Sequence, residues 1–196
     1  MQEALLLIGL FLVFGLFALF MIRAGRRATA RVREVWIEVA ERLGGHFDPT
    51  SWTVDAVISD IEIRLDRYAV TTGQTTMLFS RMTAATASTK RLLVYRGGVF
   101  SKLAKSIGLQ DHTVGDAAYD DMFIIQSDDQ EWATSVLVDA IREEHLELSS
   151  VSLRIQDGKV TSHQGGNDVD VEALIQRFRL TAALALSAEQ RALSED

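Results

Sequence analysis

Apolar residues follow three patterns along this chain. The first is an unbroken run, ALLLIGLFLVFGLFALFMI from Ala4 to Ile22, nineteen residues without a charge or a strongly polar group. As a helix it reaches about 28 Å, close to the hydrocarbon thickness of a bilayer. The second is helical spacing. In RVREVWIEVAERLGG, starting at Arg31, residues Val32, Val35, Trp36, Val39 and Leu43 form one stripe, and Gly44-Gly45 supplies the stop. No Pro/Ser-rich linker separates the apolar run from this helix, so the two are expected to be nearly continuous. The third is alternation, clearest in IEIRL, where Ile61, Ile63 and Leu65 point one way and Glu62 and Arg64 the other.

These patterns predict an α+β fold: one N-terminal transmembrane helix followed by a mainly antiparallel sheet packed with helices. Strands are expected in TVDAVI, IEIRLDRYAV, TTMLFSRM and RLLVYR, with TTGQTT (71–76) as a turn. The small, polar TAATASTK (83–90) reads as an exposed loop or a fraying strand. A short helix is expected at 99–109, a strand at 121–126 and a helix over about 128–147 with Trp132, Val136, Leu137, Ala140 and Ile141 as its buried stripe. VSLRIQ and KVTSHQ flank Asp157-Gly158, a type I′ hairpin turn that needs positive φ at both residues. Val151, Leu153, Ile155 and Val160 form its inner face. The last helix should cover about 169–186, buried through Val171, Leu174, Ile175, Phe178, Ala182 and Ala185. The resulting organisation is an anchor at 1–23, a basic amphipathic juxtamembrane helix at 24–44, an α+β domain at 45–187 and a polar tail at 188–196 that frays. Trp36 and Trp132 read as core, and Trp52 as more exposed.

Charge orients this arrangement. Arg23, Arg26, Arg27, Arg31 and Arg33 follow the apolar run with no acid among them, and only Glu3 precedes it. The positive-inside rule then puts the N-terminus outside and residues 23–196 in the cytoplasm, with the chain single-pass in the inner (plasma) membrane. A cleaved signal peptide fits less well. MQE has no basic side chain, the apolar run is long, and the ATA triplet at 28–30 lies beyond three arginines. From residue 34 onward there are 15 Lys/Arg and 26 Asp/Glu, a net charge of −11. Such a body repels phosphate backbones, which argues against nucleic acid as a partner. The expected partners are the lipid bilayer and another protein. With no cysteine, disulfides, thiolate nucleophiles and Cys-ligated zinc are excluded.

Candidate chemistry concentrates in VGDAAYDDMFIIQSDDQEWA, residues 114–133, which holds six acids. Ser127 and Gln130 read as a capping box, which explains Asp128, Asp129 and Glu131 as first-turn acids. Asp116 reads as a turn residue able to accept from a backbone N–H two positions on. Asp120 and Asp121, at an expected strand start, should point to opposite faces. Asp116, Asp120 and Asp121 are therefore the weak candidates for a Mg²⁺ site. They lack the glycine and spacing of a calcium-binding EF-hand loop, and no cofactor is predicted. The stretch VGDAAYDDMFIIQSDDQEWATSVL, with LRIQDGKV after it, resembles a segment of uncharacterised, membrane-anchored bacterial proteins. In those, a G-D-x-x-F/Y-D-x-x-F pattern precedes a strand, a helix and a hairpin. The resemblance covers residues 110–186 and implies a fold and a bacterial source, but no activity.

Other motifs are sparse. His46, His112, His145 and His163 form no H-x-x-x-H or H-E-x-x-H pattern. His112 beside Asp111 could be a base with its orienter, or a surface pair; His145, near a helix C-terminus, sits where a cation is favoured. No G-x-S-x-G, Walker A or G-x-G-x-x-G occurs. KRLLVYRGGVFSKLAK (90–105) carries a local charge of +5 and makes Arg96, Val99, Phe100, Lys102 and Lys105 candidate lipid contacts. Three functions follow: a non-enzymatic, membrane-tethered binding or assembly module, a Mg-dependent enzyme on a membrane-near substrate, and a lipid-sensing module. The absence of a recognisable reaction centre favours the first.

Overall fold

A computed structural model of the chain describes residues 2–73, 75–96, 110–166 and 169–195, without the side chains of residues 2–14, 18, 22, 72 and 195. The helix expected at 99–109, and with it Val99, Phe100, Lys102 and Lys105, lies outside the described residues. The fold is α+β with one large antiparallel sheet. Among the described residues its nine strands are β1 (His46–Asp48), β2 (Thr53–Ile58), β3 (Ile61–Thr72), β4 (Thr75–Ala85), β5 (Leu92–Tyr95), β6 (Gln110–His112), β7 (Ile124–Ser127), β8 (Ser152–Gln156) and β9 (Lys159–Gly165), in the order β1-β2-β3-β4-β9-β8-β5-β7-β6. Every pairing among them is antiparallel. The described helices are α1 (Gln2–Arg42), α2 (Ala117–Met122), α3 (Gln130–Val136), α4 (Asp139–Glu147) and α5 (Val171–Glu195).

Alternation sorts the sheet into two faces. On the inner face Val54, Ile63, Leu65, Met82, Leu92, Val94, Leu153, Ile155 and Val160 are buried in one core with residues of α1, α3, α4 and α5. Helix α5 lies against β2, β3, β4 and β9, and α1 against β1, β2 and α5. On the outer face, register partners bring Asp55 beside Arg64, and Asp66 beside Arg81 and then His163.

Helix α1 runs without a break from the apolar run into the core. Its last turns bury Val32, Val35, Trp36, Val39 and Ala40, while Arg23, Arg26, Arg27, Arg31 and Arg33 are exposed. The stop is a Schellman cap: Gly45 N–H donates to the Ala40 carbonyl at 2.8 Å, and Gly44 takes φ 64°. Gly45 also has no room for a side chain, since a Cβ there would meet the Asp55 carbonyl oxygen at 2.4 Å. Among the described residues no helix is long and apolar enough to cross a membrane. Most side chains of the run 4–22 lie outside that set.

Several elements differ from expectation. Residues 117–122 are helix, not the start of a strand, because Asp116 caps them; the strand begins only at Ile124. The helix expected over 128–147 is two helices, broken at Leu137-Val138. Its buried residues Trp132, Ala133, Val136, Leu137, Ile141 and His145 would occupy more than half the circumference of a straight helix. The break re-aims the second half, and Ala140, expected inside, is exposed. The C-terminal tail does not fray at 188: α5 continues to Glu195, with Ala188 fully buried. The hairpin turn is as expected, with φ 52° at Asp157 and 69° at Gly158. Trp52 is half-buried, edge-on to Trp36 and Phe47, with the Arg67 guanidinium 5.3 Å from its ring centre.

Candidate functional site

The acidic segment is built almost entirely from caps and ion pairs. Asp116 is the N-cap of α2; its Oδ1 accepts from the N–H groups of Ala118 at 3.1 Å and Tyr119 at 3.2 Å. Its Oδ2 accepts from Arg142 Nε at 3.2 Å. These N–H donors, Tyr119 first, and the Arg142 guanidinium hold the Asp116 carboxyl below the usual carboxylate range. Asp120 reaches back to the preceding loop, accepting from Val114 N–H at 3.0 Å and Gly115 N–H at 3.1 Å. Asp121, one residue on in the same short helix, is exposed. The expectation that Asp120 and Asp121 flank a strand start is thus replaced by a helix. Among the described residues no group of three His, Asp or Glu side chains is placed to hold a metal ion.

The second half of the segment also differs in detail. Asp129, not Ser127, is the N-cap of α3, accepting from Trp132 N–H at 3.0 Å. That bond and a 2.9 Å ion pair from Lys90 Nζ lower its pKa. Ser127 instead ties β7 to β5, its Oγ donating to the Arg91 carbonyl at 2.7 Å. Asp128 accepts from Arg91 N–H at 3.0 Å and pairs with its Nε at 3.2 Å. Thus Lys90 and Arg91, from the basic stretch, face these acids. Arg96 is exposed.

The histidines separate by burial. His145 is completely buried, accepting from Tyr119 Oη through Nδ1 at 2.7 Å and donating from Nε2 to the Val151 carbonyl at 2.9 Å. Phe123 stacks on it at 4.2 Å. Burial pushes its pKa down to about 4, so it is neutral at pH 7 and does not act as the helix-end cation the sequence suggested. His112 and Asp111 are neighbours on β6 and do not act on one another. His112 Nε2 meets the Ser127 carbonyl at 3.1 Å, and Asp111 accepts from Gln126 Nε2 at 2.7 Å.

A concavity lies on the outer face of the sheet, where sequence clustering gives no sign of one. A groove of about 950 Å³ is lined by Asp55, Glu62, Arg64, Asp66, Arg81 and Lys159, with Gly45 and His46 at one end. Arg64 grips Asp55 with two bonds, 2.7 and 3.1 Å, and Arg81 grips Asp66 with two, 3.0 and 2.5 Å. Three acids and three bases line the groove, so it has no net sign. Above it Tyr68 Oη lies 2.9 Å from His163 Nδ1, and Arg81 lies 5.5 Å from the Tyr68 ring centre. Burial, then the charges of Arg177, Arg81 and Arg154, bring the His163 pKa down to about 4. The one legible signal for this surface was the charge alternation of IEIRLDR; the partner residues come from strands distant in sequence.

No protein-family model, curated protein or solved structure matches the chain.

Proposed function

We propose that the protein is a membrane-tethered binding or assembly module. In this reading residues 4–22 span the inner membrane, the N-terminus lies outside, and the α+β domain stands in the cytoplasm. The observation that carries it is α1: one helix of 41 residues contains the apolar run at one end and buries Trp36 and Val39 in the domain core at the other. A helix shared in this way fixes the domain relative to the bilayer with no flexible tether. The exposed arginines between the two ends match a membrane–cytoplasm boundary. A non-catalytic role is supported by how the acids are used: Asp116, Asp120 and Asp129 are each bonded to backbone N–H groups at helix starts or in the loop before α2.

The chain has no cysteine, so single introduced cysteines report topology cleanly. An impermeant maleimide applied to intact cells should label Gln2→Cys and spare Lys159→Cys until the membrane is opened. The reverse pattern, or recovery of the protein in the soluble fraction, overturns the anchor. For the module, gentle detergent extraction from the native host followed by mass spectrometry should recover a protein partner at near-stoichiometric level. Recovery of the protein alone with a bound metal or small molecule would instead favour the enzyme or sensor readings.

A further inference from the structure

The longest hairpin of the sheet extends past its neighbours. Strand β3 pairs with β2 only as far as Leu65, and β4 pairs with β9 only from Phe79. Beyond those points Ala69–Thr72 and Thr75–Leu78 pair with each other, apart from a bond of Gly166 N–H to the Leu78 carbonyl at 3.0 Å. The result is a two-stranded arm whose β3 side has no strand partner among the described residues from Tyr68 to Thr72. Ala69, Thr71, Thr75 and Thr76 are exposed, and so are Met77 at 39% and Leu78 at 45%.

The arm's composition is unlike that of the rest of the α+β domain. From Tyr68 to Ser80, thirteen consecutive residues carry no charge, in a protein that is 24% charged. Sheet edges in soluble proteins are ordinarily protected by lysines, prolines, bulges or covering elements. This edge has no charge, proline or bulge along it. An isolated two-stranded ribbon is also only marginally stable in water.

We propose that the β3 edge of this arm pairs antiparallel with the same edge of a second copy of the chain. Three arguments favour that occupant. First, an edge offers backbone N–H and C=O groups, which a strand satisfies and a lipid phase does not. Second, the body beyond residue 33 carries −11, so two copies repel each other; this uncharged stretch is where they can approach. Third, a two-fold register centred on Ala69 sets Tyr68 opposite Val70 and Arg67 opposite Thr71. It joins an aromatic to a β-branched residue and puts no like charges across from each other. One strand pair buries less than a stable soluble dimer needs. The proposal therefore rests on the membrane-anchored reading, in which confinement to a bilayer raises the effective concentration of the second copy.

Isolated membranes carrying full-length Ala69→Cys are treated with a mild oxidant and compared with Leu78→Cys. Residue 69 lies on the two-fold axis, so its sulfurs come within disulfide reach. Residue 78 faces the same way one strand further out, so its copies stand roughly 14 Å apart, three strand spacings. The expected result is covalent dimer for A69C, forming at least about tenfold faster than for L78C. A69C that reacts fully with maleimide in those membranes yet forms no dimer overturns the proposal. Equal dimer yields at both positions also overturn it, since they indicate random collision. An environment-sensitive dye on Met77→Cys that shifts to the blue without any A69C dimer would assign the arm to the bilayer instead. Fractionation separates the two readings: A69C-specific dimers in the soluble fraction would sink the anchor and keep the arm pairing.

Discussion

The two faces of the sheet are made from the same strands, and adjacent residues on them do different work. Ser80 points inward and is fully matched. Arg177 of α5, itself completely buried, donates to Ser80 Oγ at 2.7 Å, to the Ser80 carbonyl at 3.0 Å, to Ser162 Oγ at 3.1 Å and to the Ser162 carbonyl at 2.7 Å. Arg81, the next residue, points outward and grips Asp66 in a half-exposed ion pair. The inner guanidinium holds a helix onto two strands, whereas the outer one stabilises a surface. Two guanidiniums, one bonded to Ser80 from α5 and the other carried by the neighbouring Arg81, therefore have unequal energetic weight, and burial sets the difference.

The sharpest way to break this comparison is to remove the inner guanidinium. Arg177→Ala strips several charge-assisted hydrogen bonds and strands buried serine oxygens. Each such bond is worth about 1.5–3 kcal/mol net, so a loss above about 3 kcal/mol is expected. Urea unfolding of the detergent-solubilised full-length chain should show a midpoint shifted far down, or no folded baseline. A shift under about 1 kcal/mol would mean that the network does not hold the helix.

The next largest effect is acid lability. His145 and His163 have folded pKa values of about 4 against an ordinary value of 6.5. A histidine held neutral by burial contributes its full stability above its unfolded pKa, and loses it as pH falls from about 6.5 to 4. Each can contribute about 3 kcal/mol over that window. The Asp116 and Asp129 carboxyls are displaced downward, so what they contribute is present above their ordinary range and is lost only at lower pH. Acid unfolding should thus begin in the histidine window, before the caps titrate. His145→Gln should flatten the dependence between pH 6.5 and 4.5, and an unchanged slope would show that its burial is not what sets it.

The acidic segment shows where reading the sequence worked and where it did not. The principle that clustered acids start helices was legible, and so was the stop of α1 at Gly44-Gly45. The choice between Ser127 and Asp129 as cap was not. Both residue types cap well, and the answer depends on Arg91, whose carbonyl draws Ser127 away from α3 and lies 36 positions back in the chain. The helix over 117–122 is hidden for a local reason: its cap, Asp116, fits a turn as well as it fits an N-cap. The groove was less legible still, because Asp55–Arg64 and Asp66–Arg81 become pairs only once strand register is fixed. Asp129→Ala should cost about 1 kcal/mol through the lost cap, with Gln130→Ala within about 0.5. If Gln130→Ala costs as much as Asp129→Ala, the capping box inferred from sequence is the better description.

The smallest effect tests the outer face directly. The Arg64 and Asp55 side chains are 63% and 43% exposed, so their bidentate geometry competes with water and salt. A double-mutant cycle through Arg64→Ala and Asp55→Ala should give a coupling of about 0.2–1 kcal/mol that shrinks in high salt. The arginine most worth comparing is Arg81, which pairs with Asp66 across β3 and β4; both partners are less exposed than Arg64 and Asp55, at 40% and 23%. Its cycle with Asp66 should therefore give the larger coupling of the two and the weaker salt dependence. Equal couplings would show that exposure does not grade this face, and that bidentate geometry alone decides what an ion pair on it is worth.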